Sequence, residues 1–207
     1  MNNFMRLFNV VCLSLLVYVA NADQLPPSCS QDCVVNYGET LGESITGVKA
    51  FSNCNNACVN PTPYFIDNTF TGIKWQCVEY ARRWLLVNEG VVYGDVDIAA
   101  DIWQLDHVMS ADKKSQKSFI NILNGDSQSG IQRGDLLIYS QAFYGTGHVA
   151  VVLKVDKQKQ RLYLGEQNFD NRLWVEGYAR DVPYIERADE IWVLDAYLIG
   201  WKRVVSE

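Results

Sequence analysis

The sequence predicts an α+β fold in which one long helix packs on an antiparallel β-sheet. Apolar residues recur at helical spacing from Trp75 to Asn88, which is the pattern of an amphipathic helix. From Gly134 onward, short runs rich in β-branched residues alternate with turn residues, as in strands joined by hairpins. A helix followed by a run of strands favours α+β over alternating β–α units.

Residues 1–22 are predicted to be a signal peptide. Arg6 is their only charge, an apolar run follows from Leu7 to Val19, and Ala20-Asn21-Ala22 has the small-x-small pattern of a cleavage site. The run is shorter than the roughly 20 residues of a spanning helix, which argues against a membrane anchor. An uncleaved anchor is the alternative to a cleaved signal peptide. We therefore expect a secreted or periplasmic protein without stable membrane insertion after signal removal.

Residues 23–63 are predicted to form an irregular, cysteine-rich N-terminal segment, and residues 64–207 a single domain. Four cysteines form two Cys-x3-Cys units: Cys29, Cys33, Cys54 and Cys58. In an exported protein they predict two disulfides, with three pairings possible. Two facing helical turns would give the antiparallel pairing Cys29–Cys58 with Cys33–Cys54. A four-cysteine zinc site is the alternative, although Cys-x2-Cys is the commoner zinc spacing.

The charge balance argues against a polyanionic partner. The chain carries a formal charge of -6, which becomes -7 when the single positive charge of Arg6 leaves. Arg82-Arg83 is the one adjacent basic pair that stands out, and it falls in the predicted helix. Nucleic acid is therefore not expected as a partner.

The elements are predicted in chain order as follows. The helix from Trp75 to Asn88 ends before Gly90, which is expected in the left-handed conformation. A second helix is expected over residues 97–108 and a long polar loop over residues 110–132. Strands are then expected over residues 135–139, 148–155, 161–167, 192–194 and 198–201.

Cys77 is the candidate nucleophile. It lies in the first turn of the predicted helix, where unpaired N–H groups stabilise a thiolate. It is also the fifth, odd cysteine of the predicted mature chain. The alternative is a buried structural cysteine, which is common for a lone cysteine.

His148 and Glu166 are the candidate base and orienting acid. His148 follows Gly145-Thr146-Gly147, which leaves room for a substrate, although a lone histidine in an apolar strand is often a core residue. If residues 156–158 form a three-residue hairpin loop, His148 faces Glu166 on the same side of the sheet. A two-residue turn would bring Gln167 nearer instead, and Asn168 is the second choice for the acid's place. His107, the other histidine, is interpreted as a surface or cap residue.

A thiol, an imidazole and a carboxylate in this order suit nucleophilic acyl transfer. The Cys77 N–H at the helix start is a candidate oxyanion donor, with Gln76 as a possible second donor. No metal or organic cofactor is expected for this chemistry.

The stretch Trp75-Gln76-Cys77-Val78-Glu79-Tyr80-Ala81-Arg82-Arg83 resembles the amidase domain of glutathionylspermidine and trypanothione synthetase/amidases. Gly147-His148-Val149-Ala150 and Glu166-Gln167-Asn168 resemble that family's histidine and acid segments in order and spacing. These domains belong to the CHAP group (cysteine, histidine-dependent amidohydrolases/peptidases) of papain-like enzymes.

The resemblance implies a papain-like CHAP fold over about residues 47–203, with Cys77, His148 and Glu166 as the triad and Arg82 near the substrate. It implies cleavage of a peptide-like amide through a thioester, in a small glutathionylspermidine-type conjugate or in peptidoglycan. A catalytically silent binding module with the same cleft is the alternative from a different class.

Overall fold

A nine-stranded antiparallel sheet, one α-helix and two small hairpins make up the part of the chain that the computed structural model describes, residues 25–126, 130–188 and 190–205. The predicted signal peptide lies outside these residues. The helix is α1 (Cys77–Glu89), and two 3₁₀ helices cover Pro27–Cys29 and Ala99–Gln104. The strands are β1 (Thr40–Glu43), β2 (Lys49–Phe51), β3 (Pro63–Ile66), β4 (Thr69–Ile73), β5 (Val91–Tyr93), β6 (His107–Ser110), β7 (Gln116–Leu123), β8 (Leu136–Tyr139), β9 (His148–Asp156), β10 (Arg161–Gly165), β11 (Arg180–Arg187), β12 (Glu190–Val193) and β13 (Leu198–Val205).

The large sheet has the order β12-β11-β10-β9-β8-β13-β7-β6-β5, while β1-β2 and β3-β4 are separate hairpins. Helix α1 packs against β4, β5 and β9, so the predicted α+β arrangement is confirmed. Side chains alternate across the central strands. Leu136, Ile138, Val149 and Val151 join the helix in one core cluster, and Leu137, Ala150 and Val152 belong to a second.

Helix α1 begins at Cys77, two residues later than predicted, and ends at Glu89. Gly90 caps it in the left-handed conformation with φ 67°, and its N–H bonds to the Leu86 carbonyl. Arg82 and Arg83 are buried on this helix, because their guanidinium groups find hydrogen-bond acceptors in the surrounding segments.

Two element predictions were wrong. Residues 97–108 form only the 3₁₀ helix Ala99–Gln104, and His107 then starts β6, where it is exposed beside Asp106. Residues 116–123, predicted as part of a loop, form β7, which pairs with both β6 and β13. Pairing in the sheet outweighs local propensity in both segments. Buried Lys202 of β13 also holds the segment before β6, because it donates a hydrogen bond to the Leu105 carbonyl.

The N-terminal segment is less irregular than expected, because it contains the hairpin β1-β2. Its four cysteines form the disulfides Cys29–Cys58 and Cys33–Cys54, which is the antiparallel pairing and not a zinc site. Cys77 is the free cysteine of the described residues. Two disulfides are compatible with an oxidising compartment. Among the described residues, no helix is long and apolar enough to cross a bilayer.

We expect the paired Cys33→Ser/Cys54→Ser variant to lower the free energy of unfolding by about 2–4 kcal/mol, because the bridge constrains the unfolded chain. Denaturant titration measures this loss. The non-reduced wild-type protein should weigh about 4 Da less than the fully reduced protein, as two disulfides require. An unchanged mass on reduction, or stoichiometric bound zinc, would contradict the pairing.

Candidate active site

The side chains of Cys77, His148 and Glu166 meet where the start of α1 reaches the ends of β9 and β10. Each is nearly buried, with exposed fractions of 8%, 2% and 3%. Cys77 and His148 line the same cleft, where the charge and hydrogen bonding of His148 lower the pKa of the thiol, and His148 Nε2 lies 2.8 Å from Glu166 Oε2. Because Nε2 faces the carboxylate, Nδ1 is the ring nitrogen left for the thiol.

A β-bulge brings Glu166 to the correct face of the sheet. Tyr163 pairs with Lys154, but Leu164 pairs with Val152, so Leu153 is an extra residue on β9. The predicted register, with His148 directly opposite Glu166, was therefore wrong. The loop is longer than three residues, since Arg161 already pairs with Asp156. Without the bulge the parity would place Glu166 on the other face, whereas with it Glu166 reaches His148 diagonally.

The charges of Cys77, His148 and Glu166 shift the pKa values of their neighbours. Burial raises the pKa of the Cys77 thiol, but the charge and hydrogen bond of His148 bring it below its ordinary value. Burial lowers the pKa of His148, but Cys77 and Glu166 raise it to about 9. The backbone N–H groups of Val78 and Val149 also lower the pKa of this thiol. Both shifts favour a thiolate–imidazolium pair, which nucleophilic thiol chemistry requires.

Glu166 stays ionised although it is buried. Burial raises the pKa of its carboxyl, and the Arg180 charge together with the His148 hydrogen bond holds it below the ordinary value. An ionised carboxylate only accepts hydrogen bonds, so His148 Nε2–H is the donor. This fixes the tautomer that leaves Nδ1 to exchange a proton with the thiol.

A cleft of about 690 Å³ opens over Cys77 and His148. Gly147 lies in its wall with φ 72°, and a Cβ there would lie 2.5 Å from the Tyr139 carbonyl oxygen, so only glycine fits this close approach. Val59, Phe70, Ile98 and Tyr144 are among the apolar side chains that line the cleft, and its charged residues besides His148 are Arg82, Asp95 and Asp97.

Gln76, Arg82 and Asn168, the other predicted site residues, all line this cleft. The Gln76 amide is held from both ends, since its Oε1 accepts from Asn168 at 2.7 Å and its Nε2 donates to the Cys58 carbonyl at 3.2 Å. Buried Arg82 donates to the Gly94 carbonyl and to Asp95, at 2.8 and 3.3 Å. The cleft therefore contains several polar groups besides Cys77 and His148.

Sequence reasoning missed Asn53, which joins the disulfide-bonded segment to the site. Asn53 is fully buried, and its side chain donates to the Cys58 carbonyl and to Asn168 Oδ1. It also accepts from the Trp75 N–H. No local pattern marks an asparagine beside a cysteine for this role.

Sequence reasoning did not predict the contacts of two further groups, Gln167 and Arg180. Gln167 ties Glu166's segment to α1, since it accepts from Arg83 and donates to Glu79, each at 3.0 Å. Arg180 donates from Nε to Glu166 Oε1 at 2.6 Å. Arg180 starts β11, which the sequence did not predict.

Comparison with known proteins relates part of this chain to one domain family and to much longer proteins. Residues 68–168 match the CHAP domain family model. The chain is 29% identical to trypanothione synthetase of Crithidia fasciculata over 177 residues, 85% of this chain and 26% of that protein. It is 33% identical to the bifunctional glutathionylspermidine synthetase/amidase of Escherichia coli K12 over 142 residues, 64% of this chain and 22% of that protein. The chain thus spans about a quarter of the length of these relatives.

Proposed function

Because residues 68–168 belong to the CHAP domain family, we propose that this protein is an exported cysteine amidohydrolase that cleaves a peptide-like amide through a thioester. The observation that carries the proposal is the buried 2.8 Å hydrogen bond between His148 and Glu166 in the cleft that Cys77 and His148 line together. Homology to proteins with a named amidase activity supports hydrolysis of an amide bond. The two disulfides support export.

In the proposed reaction the Cys77 thiolate attacks the amide carbonyl, and the resulting oxyanion lies near the Cys77 N–H at the start of α1. The imidazolium of His148 then protonates the leaving amine, and a thioester remains. His148 next takes a proton from water, which attacks the thioester and releases the carboxylic acid and the free thiol. Glu166 stabilises the imidazolium in both steps.

The cleft supports a substrate that carries positive charge. Arg82 is buried and already bonded to Asp95, whereas exposed Asp97 lines the cleft and is suited to an ammonium group. A glutathionylspermidine-type conjugate has ammonium groups on its amine side. We therefore propose such a conjugate as the substrate class.

We expect Asp97→Asn to raise KM for glutathionylspermidine about fivefold, with little change in kcat, because one exposed charge pair is worth about 1 kcal/mol. The assay follows release of the free polyamine. Hydrolysis of a neutral glycyl amide should not change. Asp101→Asn is the matched control, since Asp101 is exposed on the neighbouring 3₁₀ helix and does not line the cleft. An equal loss on both substrates would contradict a role for Asp97 in binding the amine.

Peptidoglycan is the second candidate substrate, favoured by the disulfides that suit an extracellular protein. Incubation with purified peptidoglycan separates the two: release of amino groups without new reducing sugar ends would assign the protein to cell-wall hydrolysis. A catalytically silent binding module would cleave neither substrate, and its Cys77 would react with iodoacetamide as an ordinary thiol.

A further inference from the structure

Arg180 connects the carboxylate of Glu166 to a second buried polar group. Its Nε donates to Glu166 Oε1 at 2.6 Å, on the oxygen that His148 does not use. Its Nη1 donates to Asp195 Oδ2 at 2.7 Å and its Nη2 to the Tyr139 hydroxyl at 3.0 Å. The Tyr139 hydroxyl in turn donates to Asp195 at 2.8 Å.

The orientation of the guanidinium is therefore fixed on several sides. Besides these hydrogen bonds, its plane lies over the Phe169 ring, 4.4 Å from the ring centroid. The same ring lies 5.3 Å from the centroid of His148. Arg180 cannot turn away from Glu166 without breaking bonds to Asp195 and Tyr139, so the carboxylate has one defined position.

The Arg180 guanidinium offsets negative charge in this chain of residues. Cys77 thiolate, His148 imidazolium, Glu166 carboxylate and Arg180 guanidinium sum to zero, and the Asp195 carboxylate bonded to Arg180 adds one negative charge. Removing the guanidinium makes the site more negative. Such a site takes up a proton more readily, and the thiolate is then lost at a higher pH as the solution is acidified.

We propose that Arg180 is a positioning residue that keeps Glu166 ionised and directed at His148, and thereby maintains the reactive Cys77–His148 pair. The inference rests on the proposed function of Cys77 as the nucleophile. Arg180 contacts neither the thiol nor the cleft wall above it; it acts through Glu166.

The groups that face this site come from several elements. Glu166 is faced by His148 of β9 and by Arg180 of β11. Cys77 and Tyr80 lie on α1. Tyr139 belongs to β8 and Asp195 follows β12. Among the described residues, Arg180 is the permanent cation in contact with the Glu166 carboxylate.

The test uses alkylation of Cys77 by iodoacetamide as a function of pH, read by mass spectrometry on the tryptic peptide Trp75–Arg82 of the full chain. This readout needs no substrate. We expect Arg180→Gln to raise the pH midpoint of alkylation by about one unit and Arg180→Lys to raise it less, because lysine restores the charge. Arg161→Gln is the matched control: Arg161 forms an exposed ion pair with Asp181, and the midpoint should stay at the wild-type value.

Asp195→Asn separates a charge effect from loss of structure. It removes a negative charge beside Arg180 but keeps the shape and an acceptor oxygen, so the midpoint should not rise. If Asp195→Asn and Arg180→Gln raise the midpoint equally, or if folded Arg180→Gln alkylates like wild type, the inference is wrong. If wild-type Cys77 itself alkylates as an ordinary thiol, the proposed nucleophile fails and not only the role of Arg180.

Discussion

Replacing Cys77 by alanine is expected to lower amide hydrolysis by at least about 10³-fold while leaving the fold intact. The substitution removes the atom that attacks the carbonyl, and no other group in the cleft can form the thioester. Alanine at the start of α1 is a good helix residue, and Cys77 makes no disulfide. The measurement is the release of free amine from the substrate that wild type cleaves.

Two further measurements make this result decisive. The thermal unfolding midpoint of Cys77→Ala should stay near that of wild type, which shows that loss of activity is not loss of structure. Cys77→Ser keeps an oxygen in the same place but is not expected to restore turnover, since a hydroxyl is not ionised by the histidine pair as a thiol is. Wild-type turnover by Cys77→Ala would refute the proposed mechanism.

The second large effect is expected for Glu166→Gln. We expect kcat to fall by about 10²- to 10⁴-fold with a smaller change in KM, because the carboxylate stabilises the imidazolium most when that charge forms. A glutamine has one carbonyl oxygen for two donors, His148 and Arg180. One of them must then face the amide NH₂, and the tautomer of His148 is no longer fixed.

Stability and activity should both be measured for this variant. Arg180 keeps its bonds to Asp195 and Tyr139, so the loss in free energy of unfolding should be smaller than the roughly 3–5 kcal/mol of a buried charge left unpaired. Glu186→Gln, at an exposed carboxylate of β11, is the matched control without effect. Asn168→Ala should cost less than Glu166→Gln, because Asn168 bonds to Gln76 and not to His148. Full activity of a folded Glu166→Gln would remove Glu166 from the mechanism and leave the Cys77–His148 pair.

The helix and the central strands were predictable because their signals are local. The spacing of Cys77, Ala81 and Leu85 marks one helical face, and Gly90 ends the helix as such a glycine should. The runs at β8 and β9 are apolar on both faces, as buried strands are. The strands β7 and β11 mix polar and apolar residues without a regular alternation, and they gain stability from pairing with other strands, so their sequences alone did not identify them.

The candidate site, like the fold, has features that the sequence predicted and features that it did not. Residue types, order and spacing select Cys77, His148 and Glu166 as candidates, and the odd number of cysteines separates Cys77 from the four that pair. The contacts among the three were not predictable. They depend on Leu153, one bulged residue that changes the parity of β9 against β10, and a register is a property of two strands together.

The sequence by itself determined the residues from which we propose the chemistry, namely a thiol at a helix start, a histidine and a carboxylate further along the chain, and it determined four cysteines able to form two bridges. Only the tertiary structure decided how that chemistry is supported. Arg180 reaches Glu166 from β11, and Asn53 reaches the helix start from the disulfide-bonded segment. The physical reason is that a buried charge or amide needs partners in three dimensions, and the chain supplies them from segments that no local pattern connects.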